Sequence, residues 1–116
     1  MPSRGRSGVS EFAMTALELF IPTYGNDKVT FTAAHFAQWE SHLLAAFGGY
    51  SRLPGTVAGK WLDDHGQTDD DVHVVYLVAA RMIADGAKIR AATDFAKVLF
   101  AQKGIFARYL GVTEIL

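Results

Sequence analysis

The sequence has no cysteine, only 3 prolines in 116 residues, and no surplus of charge of either sign. Without cysteine there is no thiol nucleophile, zinc finger or disulfide framework, and the composition agrees with a cytoplasmic location. With 11 Lys+Arg against 12 Asp+Glu, general attraction to a phosphate backbone is not expected, so nucleic acid is set aside as a partner. No apolar run approaches the ~20 residues of a bilayer-spanning helix, so a membrane is set aside too. Short chemical motifs are also missing. No Gly-x-Ser-x-Gly elbow supports nucleophilic hydrolysis, and no carboxylate spacing points to a glycosidase pair. Gly48-Gly49 follows a helical pattern rather than opening one, which makes it a helix stop and not a phosphate cradle. No cofactor is expected.

What remains is a chain that is 50% hydrophobic, long enough for one domain with a modest core. Residues 1–13, rich in Ser, Gly and Arg, read as a vector remnant or a natural flexible tail, with the patterned domain spanning 14–116. Arg4, Arg6 and Glu11 lie in that leader, so the body holds 9 basic and 11 acidic residues.

The patterned region divides into six elements. Ala16 to Pro22 is a short apolar strand, closed by proline and the turn residues Gly25-Asn26-Asp27. A helix from about Thr32 to Phe47 follows, with Phe36, Trp39, Leu43 and Phe47 in one stripe and Glu40 and Ser41 off it. Val57 to Asp63 and Val72 to Met82 are strands joined through the loop Asp63-Asp64-His65-Gly66-Gln67. A second helix runs from about Asp85 to Lys103, and Ile105 to Leu116 forms the last strand, with a bulge expected at Gly111. The order β-α-β-β-α-β predicts an α+β, ferredoxin-like sandwich, with two helices on one face of a four-stranded antiparallel sheet.

The runs Leu19-Phe20-Ile21-Pro22, Phe47-Gly48-Gly49-Tyr50, Gly59-Lys60-Trp61 and the closing Gly-Val-Thr-Glu-Ile-Leu resemble a group of small bacterial proteins to which no activity is assigned. At the level of fold the pattern is similar to dimeric α+β-barrel proteins, including small haem-degrading and quinol-forming monooxygenases, and to ACT domains and RNA recognition motifs. A shared fold transfers no function. The RNA comparison fails on residues. The strand Asp71 to Val78 carries one aromatic, Tyr76, and lacks both the Gly-aromatic pair and the basic opening residue that base stacking requires.

Three sets of residues carry candidate chemistry. His35 and His42 lie two turns apart on the first helix, without the four-residue step of a helical metal pair, so they read as ordinary surface or boundary histidines ahead of a metal or general-base site. Asp63, Asp64, His65, Asp69, Asp70, Asp71 and His73 form the densest set of oxygen and nitrogen groups. They lack the order of a calcium loop, and turn chemistry explains them, so no metal site is assigned. The aromatics with polar tips are the more informative set. They are Tyr24, Trp39, Tyr50, Trp61, Tyr76 and Tyr109; of these Trp39, Trp61 and Tyr76, with His35 beside them and Arg81 or Arg108 to pair an acidic group, define the candidate ligand site, placed where Trp39 and Trp61 are expected to meet. Core packing is the competing explanation for both tryptophans.

These observations predict a small cytoplasmic binding module, for a small ligand or a protein partner, without identifiable catalysis; no catalytic residue is named. The alternative is a dimeric α+β-barrel enzyme needing little or no cofactor, monooxygenase- or isomerase-like, acting on a small aromatic compound. A homodimer is expected through the sheet. On the third strand Val72, Val74, Tyr76, Val78 and Ala80 point one way and Val75, Leu77 and Ala79 the other, so helices on one face leave a second apolar face to cover.

Overall fold

The computed structural model describes residues 14–81 and 83–113. Alternation sets its centre. In β1 (Met14–Pro22) Leu17, Leu19 and Ile21 are buried, and in β4 (Thr68–Ala80) so are Val74, Tyr76, Val78 and Ala80. The two strands pair antiparallel from Thr15 opposite Ala80 to Pro22 opposite His73, which puts both sets on one face. Against that face lie Trp39 and Leu43 of α1 (Ala33–Phe47) and Ile89, Ala92 and Ala96 of α2 (Gly86–Leu99), in one hydrophobic cluster closed by Phe100.

The remaining strands are β2 (Ser51–Arg52), β3 (Val57–Leu62) and β5 (Phe106–Thr113). The order across the sheet is β2-β4-β1-β5, with β3 also on β4, and every pairing is antiparallel. The fold is therefore α+β, with two helices and a sheet of five strands rather than the expected four. The edge strand is broken. Pro54 has no N–H to give a ladder and Gly55 sits at φ +76°, so β2 pairs at Leu77 and Tyr76 and pairing resumes only at Val57 opposite His73. Among the described residues no helix is long and apolar enough to cross a membrane.

Local chemistry moves several boundaries. The third predicted strand, expected from Val72, begins at Thr68, because Asp69 to Asp71 pair with Trp61 to Gly59 instead of forming a loop. Lys60 lies 3.3 Å from Asp70 and Lys28 lies 2.8 Å from Asp69, which offsets the poor strand propensity of three aspartates. Its predicted end at Met82 lies outside the described residues. The second helix stops at Leu99, short of Lys103, since Phe100 turns into the core against Phe31 and Phe36 and Ala101 adopts φ +51°. At Gly111, φ +93°, Tyr109 to Val112 spans what Thr15 to Leu17 spans on β1, so the expected bulge is present. Residues 1–13 and the last three of the predicted final strand lie outside the described region.

Leu19 has no exposure at the centre of the core, and its truncation to alanine is expected to cost about 2–5 kcal/mol. Val98→Ala, on a side chain 84% exposed, should stay within about 0.5 kcal/mol. Urea unfolding of both variants checks the contrast.

Candidate functional site

Gly48 is the turn that brings a polar cluster together at the end of α1. At φ +77° it accepts the left-handed conformation, donates its N–H to Leu44 O at 2.9 Å, and turns the chain out of α1 into β2. The return places Arg52 opposite Tyr76, so both side chains lie on the helix-facing side of the sheet. Glu40, one residue after the buried Trp39 and four after Phe36, sits at the rim of that layer. Its carboxylate accepts from the Tyr76 hydroxyl at 2.6 Å and from the Tyr50 hydroxyl at 3.1 Å, and Arg52 Nη1 stands 3.4 Å away. The guanidinium also lies 5.2 Å from the Phe36 ring and 5.8 Å from that of Tyr76, a cation–π arrangement that holds it in place.

Burial, then the hydrogen bond to Glu40, pushes the Tyr76 phenol far above its ordinary value, so it acts as a donor throughout the physiological range. Desolvation and the same carboxylate raise Tyr50 as well, against the lowering influence of Arg52. The Tyr76 ring is fully buried, while the Glu40 side chain keeps 25% and that of Arg52 46% of its exposure. A partly exposed carboxylate with phenolic donors and a neighbouring cation has the chemistry to pair with a polar molecule or to accept a proton without a metal. Tyr50 also borders a groove of about 400 Å³ that continues past Gly49, Ser51, Leu77 and Ala79.

Of the residues predicted from sequence, the structure brings two into contact: Trp39 and Tyr76 meet edge to face at 6.1 Å. Trp39 is fully buried and stacks near His42 and Phe95, forming a wall behind Tyr76. His35 is engaged at the start of α1, where Nδ1 lies 3.2 Å from the Thr32 backbone N–H and the ring packs against Phe31. Arg81 closes β4, its backbone N–H on Asp85 Oδ2 at 2.7 Å. Trp61 does not meet Trp39. It lies on the face away from the helices, opposite Asp69, with 47% exposure, and lines a second groove of about 360 Å³ with Phe20, His73 and Phe106. The separation follows from β3 register, and Gly59 accommodates it: a Cβ there would stand 3.1 Å from the indole Nε1. Among the described residues no group of three or more His, Asp or Glu is placed to hold a metal ion.

Sequence reasoning missed Glu40 and Arg52. The usable signal was an acid at the edge of an apolar stripe, i+4 from Phe36, but the partner strand is two residues long and carries no strand pattern.

Two outcomes test this geometry. Tyr76→Phe removes the shorter phenolic donor to a mostly buried carboxylate and should cost about 1–3 kcal/mol by urea unfolding. His73, in the second groove, has its pKa lowered by desolvation, partly opposed by the Asp71 charge. The unfolded chain therefore takes up this proton first, so stability contributed by the neutral ring falls as pH drops through 6.5 and stops falling once the folded ring is also protonated. Thermal midpoints at pH 7.5 and pH 5.5 should differ less in His73→Gln than in the parent chain.

No family model and no curated protein matches the sequence. Among solved structures the chain is similar to a phage SAM lyase in complex with S-methyl-5'-thioadenosine, at a TM-score of 0.65 over 98% of this chain and 95% of that one. With 16% identity, the likeness is one of α+β fold.

Proposed function

We propose that the chain binds a small molecule with an amino-acid-like or cationic head at the rim between α1 and β2. One observation carries the reading: Tyr76, Tyr50 and Arg52 converge on the Glu40 carboxylate, which stays a quarter open to solvent. An ammonium or sulfonium pairs with the carboxylate beside the exposed Tyr50 ring, and a ligand carboxylate pairs with Arg52. The groove beside Tyr50 takes the rest of the molecule. Trp39 and Tyr76 of the predicted set belong to this reading, as wall and donor.

A ferredoxin-like topology underlies it. Counting β2 and β3 as one interrupted edge strand on the same side of β4 gives the order β5-β1-β4-β2/β3, which with the two helical crossovers supports the split βαβ reading. The cysteine-free sequence supports a cytoplasmic location. A second reading, lyase chemistry on a sulfonium substrate, is favoured by the likeness to a SAM lyase over nearly the whole chain. In that reading Glu40 takes a proton from the carbon next to the one bonded to sulfur as the C–S bond breaks, so that an alkene forms and the electron pair leaves with the neutral thioether.

Calorimetric titration with SAM, and separately with S-methyl-5'-thioadenosine, tests the site. SAM should bind saturably, and Glu40→Gln and Arg52→Ala should each weaken it at least tenfold. No binding, or equal affinity in both variants, overturns the proposal. Chromatography after incubation with SAM separates the two readings: released S-methyl-5'-thioadenosine supports the lyase, and intact SAM supports binding alone.

A further inference from the structure

On the face of the sheet opposite the Glu40 rim, we propose a second ligand site, for a small organic cation carrying a trimethylammonium group, in the groove between Trp61 and Phe106. This is the groove of about 360 Å³, whose walls also include Phe20, Asp71 and His73. Register builds it. Phe20 stands opposite Phe106 of β5, while Gly59 and Trp61 of β3 stand opposite Asp71 and Asp69 of β4. The indole leans back along its own strand across Gly59, where a Cβ would stand 3.1 Å from Nε1 and 3.6 Å from Cε2. Only the missing side chain at Gly59 lets the ring lie there, at the level of Asp71.

Ring geometry and charge select the occupant. The rings meet at steep angles instead of stacking: 78° between Phe20 and Phe106 at 5.0 Å, 73° between Phe20 and His73 at 6.3 Å, and 52° between Trp61 and Phe106 at 6.1 Å. Angled rings form the sides of a cup, and Phe106 and Trp61 are each about half exposed there. Aromatic faces around a shared space attract a cation through their quadrupoles. The carboxylate of Asp71 supplies the matching charge. It is partly buried and makes no hydrogen bond or ion pair with another side chain among the described residues, whereas its neighbour Asp69 is taken by Lys28 at 2.8 Å. The nearest cation on this face, Arg108, is spent on Glu18 through Nε at 2.8 Å and Nη2 at 2.6 Å. Burial keeps His73 uncharged at neutral pH, so it does not repel a positive ligand. A primary ammonium would bring three N–H donors to phenyl and indole walls that offer no acceptor. A trimethylammonium group has no donor to satisfy and buries its methyl groups against those walls while its charge faces Asp71.

Saturation-transfer NMR on the whole chain at pH 7.5, with choline as the probe, should show saturable transfer to its methyl protons. 3,3-Dimethyl-1-butanol, which has the same shape with carbon in place of the charged nitrogen, should bind at least about fivefold more weakly. Trp61→Leu and, independently, Asp71→Asn should each weaken choline by about fivefold or more, with circular dichroism unchanged. Absence of saturable transfer overturns the proposal, as does equal binding of the neutral analogue or an unchanged affinity in either variant. Choline binding that is lost in Glu40→Gln and kept in Trp61→Leu belongs to the rim and overturns it as well.

Discussion

The antiparallel register between β1 and β4 is the constraint on which the rest of the molecule depends. Eight consecutive pairs, from Thr15 with Ala80 to Pro22 with His73, lock the parity of both central strands. A slip of one residue would send Leu17, Leu19, Ile21, Val74, Tyr76 and Val78 to the other face and bring Glu18, Phe20 and His73 under the helices. Burial of the first set against Trp39, Leu43 and the alanines of α2 drives that choice, because each large side chain removed from water contributes about 1.5–3 kcal/mol. Every other feature inherits its side of the sheet from this one.

The polar rim follows directly. Tyr76 belongs to the helix-facing set, so its ring is buried against Trp39 while its hydroxyl reaches outward to the edge of α1. A buried phenol must find an acceptor, and Glu40 is placed one residue from the helix stripe to provide it. The turn at Gly48 then brings Tyr50 and Arg52 to the same carboxylate. A group that first serves to satisfy a core hydroxyl thus becomes the centre of an open cluster with donors, an acceptor and a cation. Structure and chemistry share the same atoms there.

On the opposite face the same parity leaves a charge in an apolar setting. Glu18 is nearly buried beside Phe20 and accepts from Arg108 of the neighbouring strand. Such a pair is costly to desolvate and costly to break once formed, so it contributes less to net stability than to fixing which residues of β1 and β5 stand opposite each other. The bulge at Gly111 lies beyond it, where the two strands no longer match residue for residue.

Much of the architecture was legible in the sequence because it rests on local periodicity. The stripe Phe36-Trp39-Leu43-Phe47, the stop at Gly48, the hairpin at Asp63 to Gln67 and the bulge at Gly111 each depend on residues near one another in the chain. The break in the edge strand did not show as two strands, since Ser51-Arg52 is too short to display alternation. The aspartates at the start of β4 read as a turn because their lysine partners come from elsewhere, Lys28 from 41 residues earlier. The site divides the same way. Tyr76 and Trp39 were visible as aromatics with polar tips, but which of them meet is a matter of register and of face. Trp61 shares their chemistry and lies on the other side of the sheet, while Glu40 and Arg52, 12 residues apart, are joined only by the turn and by β2 pairing with β4. The sequence by itself determined the two helices, the longer strands and the composition of their faces; the tertiary structure decided where the edge strand breaks and which faces look at each other, because strand register acts between residues that local pattern cannot connect.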